Sequence, residues 1–230
     1  VRPNTIDKDV VLQVVGDDIY GVNRLSLSTQ TPVIVDVGAH IGSFTKMAAR
    51  KWPDGQFHVY EALPMNWPLL ESNLIEVPNL SIYKGACVGE PPVNKRILIN
   101  KNEVNVTGGW GIIFTSEEYE LPDNEVAFDI DNFYSLSDLL KEGKEINLLK
   151  LDCEGSEFSI IEALTDDELS RVNYLVAEIH IVSSQHTHMN YQDFRKKLLR
   201  HFICRDLLIH KETNYSDTFQ IIAKNKRVRR

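Results

Sequence analysis

The chain of 230 residues is 43% hydrophobic and 25% charged, which suits a single globular domain over residues 1–230 with a sizeable core. Its formal net charge of −8 argues against nucleic-acid partners, because binding to phosphates requires an excess of Lys and Arg. No apolar run approaches the roughly 20 residues that span a bilayer.

The cysteines and the first residues of the chain predict a cytoplasmic protein. Cys87, Cys153 and Cys204 have no C-x-x-C spacing, so they fit free thiols in a reducing compartment better than a disulfide framework or a zinc site. Residues 1–9 lack the apolar core of a signal peptide.

Residues 1–31 are predicted to cover a central sheet rather than to form a separate domain. The β-branched run at residues 10–15 predicts a strand, and residues 16–18 predict a turn. No further element is assigned before residue 32.

The most informative stretch spans residues 32–45. Val33–Val37 predicts a strand buried on both faces, residues 38–42 a tight turn and residues 43–50 a helix. A strand that enters a helix through glycines brings backbone N–H groups and the positive end of the helix dipole to one spot. In α/β sheets such a spot binds nucleotide-like ligands at the carboxyl edge.

The spacing of the glycines distinguishes between candidate ligands. In the dinucleotide fingerprint G-x-G-x-x-G a second glycine lets a pyrophosphate approach the backbone, but His40 occupies that position here. Asp36 adds a carboxylate that would repel a diphosphate and attract the ammonium of an amino acid. The pattern D-x-G-x-x-x-G resembles motif I of Rossmann-like methyltransferases that use S-adenosylmethionine (SAM). A nicotinamide site and a turn that serves only packing are the alternatives.

The next strand, predicted over Gln56–Glu61, ends in a carboxylate. Glu61 lies 23 positions after Gly38, near the distance at which an acidic residue meets ribose hydroxyls in nucleotide-binding βαβ units. We predict that Glu61 accepts both ribose O–H groups; the alternative is a solvated residue at a strand end. A helix is predicted from residue 63 to about residue 76, and it places Asn66 near the ribose.

A third strand is predicted over residues 79–86, where small residues at its end allow the adenine ring to lie against Ala86; tight packing is the alternative. Residues 90–130 change in pattern, and strands are predicted over Arg96–Asn100 and residues 125–130. The glycine-bearing loop at residues 105–114 contains Trp110. It is predicted to be either a lid that closes over a site or a surface hairpin.

Two carboxylates follow the next predicted strand, at residues 148–151. Ser135 is a candidate N-cap of the helix before this strand. Asp152 and Glu154 lie at the carboxyl end of the strand, and Gly155 allows a sharp turn into a helix at residues 157–164. Paired carboxylates at the mouth of a parallel sheet are costly unless something there uses them. Capping of the following helix is the alternative.

A further strand at residues 172–180 ends in Glu178 and His180. Period two places both side chains on the same side of the strand. If this strand neighbours the previous one, Asp152 and Glu154 converge with them on one edge of the sheet. A purely structural, hydrogen-bonded histidine is the alternative.

The remaining elements complete the predicted fold. A helix is predicted over residues 191–202, followed by strands at residues 204–210 and 218–224. Alternating strands and helices with a terminal antiparallel pair predict an α/β, Rossmann-like class I methyltransferase fold. Its sheet is expected to have seven mostly parallel strands, with helices on both faces.

Four blocks of the sequence resemble the FkbM family of SAM-dependent methyltransferases over residues 32–224. They are V-D-V-G-A-H-I-G-S-F-T at residues 35–45, Y-E-A-L-P at 60–64, L-K-L-D-C-E-G-S-E-F at 149–158 and A-E-I-H at 177–180. The D-x-E-G-x-E pattern in the third block is the most particular to the family. The resemblance implies O-methyl transfer to hydroxyls of sugars, glycans, polyketides or other small metabolites, free or bound to a carrier.

The resemblance also implies that SAM contacts Asp36, Gly38, Ala39, Gly42 and Glu61. The acidic block is expected beside the methyl group. The cofactor-binding residues are predicted to be Asp36, Gly38, Ala39, His40, Gly42, Ser43, Glu61, Asn66 and Ala86.

Methyl transfer requires a base that removes the proton of the acceptor hydroxyl. We predict His180 as the base, since an unperturbed imidazole titrates near neutral pH, with Glu178 or Asp152 orienting it and Glu154 binding the acceptor. No metal ligand is assigned, although a divalent cation held by Asp152, Glu178 and His180 is an alternative. A methyltransferase-like SAM-binding or scaffold module without turnover is the alternative from another functional class.

Overall fold

The computed structural model describes residues 1–90, 96–100, 125–181, 189–211 and 217–228. Its strands are β1 (Val33–Val37), β2 (Gln56–Glu61), β3 (Leu80–Lys84), β4 (Ala86–Cys87), β5 (Arg96–Asn100), β6 (Glu125–Asp129), β7 (Phe133–Tyr134), β8 (Ile146–Leu151), β9 (Val172–Ile181), β10 (Phe202–Lys211) and β11 (Asp217–Asn225). Its α-helices are α1 (Asp7–Val11), α2 (Ser43–Lys51), α3 (Trp67–Leu74), α4 (Leu136–Leu140), α5 (Glu157–Ala163), α6 (Asp166–Ser170) and α7 (Tyr191–His201). Within these described ranges, no helix is long and apolar enough to cross a membrane.

Seven strands form one sheet in the order β3-β2-β1-β8-β9-β11-β10. The pairs from β3 to β9 are parallel, and β11 runs antiparallel to both β9 and β10. This order confirms the predicted Rossmann-like class I methyltransferase fold. From β1 the chain adds β2 and β3 toward one edge of the sheet. It then crosses back, and β8 pairs with β1 on the opposite side. The carboxyl ends of β1 and β8 therefore flank the topological switch point, where such sheets bind ligands.

Apolar side chains on both faces of the sheet explain the layered packing. Val35 of β1 packs into one buried cluster with Phe158 of α5 and Phe194 of α7. Ile34 of the same strand packs into a second cluster with Phe44 of α2. Because successive residues of a strand point to opposite faces, the continuous apolar run of β1 supplies both layers, and helices cover the sheet on both sides.

The prediction of a strand over residues 10–15 is wrong. This segment is helical, with α1 followed by a π-helical turn over Leu12–Gly16. Asp7 and Val14 are buried and Val10 packs against the same cluster as Val14. Residues three and four positions apart share one face of a helix, so tertiary packing against this face outweighs the β propensity of the valines.

The third predicted strand is divided at Gly85. β3 ends at Lys84 in the large sheet, whereas β4 pairs with β7 in a separate two-stranded sheet. A Cβ at Gly85 would collide with the carbonyl oxygen of Asn132, so the chain approaches that segment too closely for a side chain. Ala86 then donates its N–H to the same carbonyl at 3.1 Å.

The inserted region contributes an antiparallel pair of its own, β5 with β6. The predicted lid at residues 105–114, including Trp110, lies outside the described residues. The predicted helix over residues 63–76 is shorter in the structure, with a 3₁₀ turn over Pro64–Asn66 followed by α3.

Candidate functional site

The glycine turn after β1 and the acidic block after β8 touch directly. Gly38 has φ +78°, and a Cβ at this position would collide with the carbonyl oxygen of Asp152. Gly42 has φ +87°, and a Cβ there would lie 2.9 Å from the side chain of Leu74. Gly38 therefore allows the close approach that joins the two most informative stretches of the sequence at the switch point, whereas Gly42 allows the turn to pack against α3.

The turn is tied to the end of β2 through its backbone. The N–H groups of Gly38 and Ala39 both donate to the carbonyl oxygen of Tyr60 at 3.0 Å. His40, in the left-handed conformation with φ +54°, donates its N–H to Glu61 Oε2 at 2.7 Å. The predicted SAM-contacting residues of the turn thus lie together, with Ser43 beginning α2. Four of their amides already have protein partners, since the N–H of Gly42 donates to the carbonyl oxygen of Ala39 at 2.8 Å. Their contact with a cofactor stays a prediction.

The carboxylate of Glu61 is 4% exposed and accepts several hydrogen bonds from the protein. Its Oε2 accepts from the N–H of His40, and its Oε1 accepts from the N–H of Leu63 at 2.9 Å and from Asn66 Nδ2 at 3.0 Å. Burial raises the pKa of Glu61, and these hydrogen bonds oppose the rise. An ionised carboxylate offers about four acceptor positions. The three bonds leave one acceptor position for a hydroxyl, whereas two ribose hydroxyls would displace a bond within the protein.

The N-terminal segment supplies polar groups at this end of the site that the sequence did not reveal. Arg2 donates to Asp7 through Nε at 3.0 Å and Nη2 at 2.8 Å, and its Nη2 also lies 2.8 Å from Asn66 Oδ1. Asp7 is fully buried, and its Oδ1 lies 3.1 Å from His40 Nε2. Burial and the charge of Arg2 lower the pKa of His40 to about 4 although Asp7 opposes this, so His40 is neutral at neutral pH.

Asp36 is fully buried beneath the glycine turn. Its Oδ2 accepts a hydrogen bond from the hydroxyl of Thr45 at 2.6 Å, and its Oδ1 lies 3.3 Å from Lys150 Nζ. The ammonium group beside Asp36 is therefore supplied by the chain itself. The predicted role of Asp36 toward the ammonium of a ligand stays a prediction.

Lys150 joins the two halves of the site. Its Nζ donates to the carbonyl oxygens of Val37 at 3.2 Å and Gly38 at 2.6 Å, and lies 3.5 Å from Asp152 Oδ2. Burial acts to lower the pKa of Lys150, but the charges of Asp36 and Asp152 outweigh it, and the pKa is raised. The sequence carried a signal for this residue, because a lysine inside an otherwise apolar strand needs a buried partner.

The four predicted catalytic residues converge at the carboxyl ends of β8 and β9. His180 Nε2 lies 3.4 Å from Glu154 Oε2 and 3.7 Å from Glu178 Oε1, which confirms that Glu178 and His180 share one side of the strand. One ligand atom each from Asp152, Glu154 and His180 fall within 4.8 Å of one another. The convergence predicted from the sequence is therefore present.

Asp152 has a partner from the N-terminal segment that the sequence did not reveal. The hydroxyl of the buried Tyr20 donates to Asp152 Oδ2 at 2.6 Å. Burial acts to raise the pKa of Asp152, but Lys150, His180 and this hydrogen bond together lower it. Asp152 thus remains ionised at neutral pH.

Glu157, the first residue of α5, was not among the predicted site residues. Its side chain is fully buried, and it accepts hydrogen bonds from the N–H groups of Cys153 at 2.7 Å and Gly155 at 2.9 Å. Its Oε1 also lies 3.3 Å from His180 Nδ1. The third acidic position of the D-x-E-G-x-E pattern was the available signal for this residue.

The surroundings of His180 change its chemistry. Burial acts to lower the pKa of His180, but Glu154, Glu157 and Asp152 outweigh it and raise the pKa well above 6.5. Burial and the neighbouring carboxylates raise the pKa of Glu154 to about 8, although His180 opposes this. A ring with two protons has no lone pair with which to accept another, so His180 could act as the base only after losing one of them; its role as the base stays a prediction.

The same cluster is also a candidate metal site. The predicted ligand set contained Glu178, whereas the donor atoms that lie closest together come from Asp152, Glu154 and His180. Two carboxylates and an imidazole suit magnesium or manganese. Ligation would require the loss of a proton from His180, since only a neutral imidazole binds a metal.

Comparison with known proteins decides the family. The sequence matches the family described as the methyltransferase FkbM domain over residues 36–206. The chain belongs to the FkbM methyltransferase family. All predicted catalytic and cofactor-binding residues of this FkbM domain lie within the match, whereas Arg2, Asp7 and Tyr20 precede it.

Several relatives of this FkbM-family chain are known. The 31-O-demethyl-FK506 methyltransferase FkbM of Streptomyces tacrolimicus is 26% identical, with 65% of this chain and 66% of that protein covered. Methyltransferase 1 of Beauveria bassiana strain ARSEF 2860 is 26% identical, with 64% of each covered. The chain thus spans 66% and 64% of the lengths of these two relatives. A crystal structure of methyltransferase FkbM from Methylobacillus flagellatus KT is 13% identical, with a TM-score of 0.49 and 86% and 45% of the two chains covered.

Proposed function

We propose that this FkbM-family protein transfers the methyl group of SAM to a hydroxyl group of a small metabolite, sugar, glycan or polyketide-type acceptor. The observation that carries the proposal is the contact between Gly38 and Asp152. It sets the glycine turn of the methyltransferase domain directly against four carboxylates that surround one histidine. A site for a cationic nucleoside and a site for proton removal would then share one edge of the sheet.

The residues of the turn fit a sulfonium cofactor by their chemistry. SAM, when bound, supplies a methyl group that its sulfonium already makes electrophilic. Glu61 has an acceptor position left for a ribose hydroxyl, and Asn66 and Ala86 lie on the segments next to it. The remaining binding residues are proposed to be the turn itself, from Gly38 to Ser43. The ionised Asp152 lies next to this turn and favours a positive charge there.

Removal of the hydroxyl proton is the task of the acidic cluster. We assign it to Glu154 together with His180, whose facing atoms are 3.4 Å apart. With a pKa of about 8, Glu154 is ionised in part of the molecules at neutral pH and is a stronger base than an ordinary carboxylate. The charged His180 stabilises that ionised form, and Glu178 lies on the other side of the same ring nitrogen.

Oxygen as the accepting atom is supported by one relative. The protein from Streptomyces tacrolimicus is by its name a methyltransferase of 31-O-demethyl-FK506, which is consistent with a hydroxyl acceptor. A cytoplasmic location, a single domain over residues 1–230, a cover at residues 1–31 and a lid within residues 90–130 stay predictions. The three cysteines are free thiols, which is consistent with a reducing compartment.

The test is a transfer assay with SAM that carries a deuterated methyl group. The protein is incubated with sugars, glycans and polyketide alcohols, and products that gain the labelled methyl are identified by mass spectrometry. We expect a product that resists mild alkali, because an ether is stable where a methyl ester is cleaved. The His180→Ala variant is the control for enzyme-dependent transfer.

Binding is measured separately by calorimetry with SAM. No binding would overturn the whole proposal, including the assignment of the glycine turn. Binding without transfer to any acceptor would favour a SAM-binding module without turnover.

A further inference from the structure

Glu157 holds the turn that carries Glu154. Both oxygens of the fully buried Glu157 carboxylate accept backbone N–H groups of this turn, Oε1 from Cys153 at 2.7 Å and Oε2 from Gly155 at 2.9 Å. Glu154 lies between these two residues in the left-handed conformation, with φ +57°. A residue with a side chain adopts this conformation at a cost, so the turn depends on contacts that hold it in place.

The same carboxylate contacts His180. Glu157 Oε1 lies 3.3 Å from Nδ1 of the ring, which therefore carries a hydrogen toward the carboxylate. Nε2, on the opposite side of the ring, then faces Glu154 and Glu178. The titratable groups around the ring come from three places: Asp152 and Glu154 in the turn after β8, Glu157 at the start of α5, and Glu178 on β9.

We infer that Glu157 is a positioning residue for the proposed methyl transfer: it fixes the 153–155 turn and the His180 ring so that Glu154 Oε2 meets His180 Nε2. The inference rests on the proposed function for its effect on turnover. Glu157 itself is fully buried and acts through Glu154 and His180 rather than on a substrate. A role limited to capping α5 accounts for the two backbone hydrogen bonds but not for the contact with the imidazole.

Two substitutions separate these roles. In Glu157→Gln the amide oxygen can still accept from the ring Nδ1–H and from Cys153, while its NH₂ group opposes the N–H of Gly155. Glu157→Leu keeps a similar size but accepts no hydrogen bond. The matched control is Glu168→Gln, because Glu168 also accepts a backbone N–H at a helix start, from Thr165 at 2.8 Å, but lies outside the cluster.

We expect kcat to fall roughly 10-fold to 100-fold in Glu157→Gln, as for other residues that orient a functional histidine. Glu157→Leu is expected to lose more, with the KM for SAM within about threefold of the native value because the cofactor residues are unchanged. Glu168→Gln is expected to lower the unfolding temperature and to leave kcat unchanged. Turnover in both Glu157 variants equal to that of Glu168→Gln would overturn the inference.

The second measurement does not need turnover. In ¹⁵N-labelled protein without cofactor, the ring signals of His180 are identified as those missing in His180→Gln, among the seven histidines of the chain. The spectra are recorded at a pH above the raised pKa of His180, where the ring is neutral. There we expect the proton on Nδ1 in the native protein and in Glu157→Gln, and a mixture of tautomers in Glu157→Leu. An unchanged Nδ1 signal in Glu157→Leu would overturn the positioning role.

The two measurements distinguish a failure of the proposed methyl transfer from a failure of the inference about Glu157. If the protein transfers no methyl group, the tautomer of His180 still reports on Glu157. If Glu157→Leu does not fold, the comparison of Glu157→Gln with Glu168→Gln decides, because native turnover in Glu157→Gln would contradict the inference.

Discussion

The ammonium group of Lys150 donates a 2.6 Å hydrogen bond to the carbonyl oxygen of Gly38. Lys150 lies on β8 and Gly38 follows β1, so this bond crosses the switch point of the sheet. The same ammonium lies 3.3 Å from Asp36 and 3.5 Å from Asp152. One buried positive charge thus holds together the glycine turn and the acidic block, which are distant in sequence.

Replacement of Lys150 by Met is expected to lower the free energy of unfolding by about 3–5 kcal/mol, because it leaves the buried charge of Asp36 without its partner. Urea titration measures the loss. The control is Lys141→Met, since Lys141 and its partner Asp138 are both exposed and solvent screens such a pair, so its loss should change the stability far less. A loss in Lys150→Met no larger than in this control would contradict the assignment. The double variant with Asp36→Asn should recover part of the loss.

Replacement of Glu61 by Gln is expected to weaken SAM binding about 10-fold to 100-fold, the range for loss of a hydrogen bond to a charged group. Turnover at saturating SAM should stay within about threefold, because Glu61 lies away from the acidic cluster. Calorimetry gives the affinity, and circular dichroism checks the fold. The control is Glu76→Gln, which removes the same charge from an exposed position. If Glu61→Gln bound SAM with native affinity, Glu61 would not contact the nucleoside.

Replacement of His180 by Ala is expected to lower kcat about 100-fold or more, a typical effect of removing a group that takes part in proton transfer. SAM affinity should change by less than about threefold, since no predicted cofactor contact is lost. The matched substitution is His201→Ala, because His201 pairs with Asp166 on the outside of the fold. If both variants kept native turnover, the acidic cluster would not be the site of proton removal.

The rate of methyl transfer is expected to rise with pH through about 8. Burial and neighbouring carboxylates raise the pKa of Glu154 to about 8, so below this pH the carboxyl keeps its proton and cannot accept another. Above it the ionised form is available and the rate levels off. A profile of log kcat against pH measures this. In Glu154→Gln the rate should be lower and this rise should vanish; a rise that survives there belongs to another group.

Removal of divalent metals is expected to leave turnover unchanged. The raised pKa of His180 keeps its ring protonated at neutral pH, and Asp152 already accepts the hydroxyl of Tyr20. Neither group is then free to bind an ion without giving up a proton or a hydrogen bond. Activity is measured in excess EDTA and again after addition of magnesium or manganese. Loss in EDTA with recovery on addition of metal would assign a metal to Asp152, Glu154 and His180.

The sequence predicted the parts of the fold where burial is continuous. The predicted bounds of β1 and β2 match the observed strands. β1 is mainly β-branched and apolar, and in β2 the buried Phe57 and Val59 alternate with polar residues. The prediction failed over residues 10–15, where valines are common to strands and to helices that pack one face on a core. Whether such a segment forms a strand or a helix depends on the surface against which its side chains pack.

The candidate site was predicted in outline for a similar reason. Parallel strands bring their carboxyl ends to one edge, so side chains at the ends of β8 and β9 had to meet, and Glu154, Glu178 and His180 do. Tyr20 and Asp7 could not be predicted, since they reach the site from a segment without a recognisable motif. Their partners lie far away in the chain, and no local spacing encodes such contacts.

The sequence by itself determined the alternation of strands and helices around β1, the glycine turn, and the charged residues at the ends of β8 and β9. Only the tertiary structure decided what those groups do to each other. The pKa of His180 depends on how deeply the ring is buried and on the carboxylates around it, and that of Lys150 depends on Asp36 and Asp152. Electrostatic energy varies with distance and with exclusion of water, and both are properties of the folded chain.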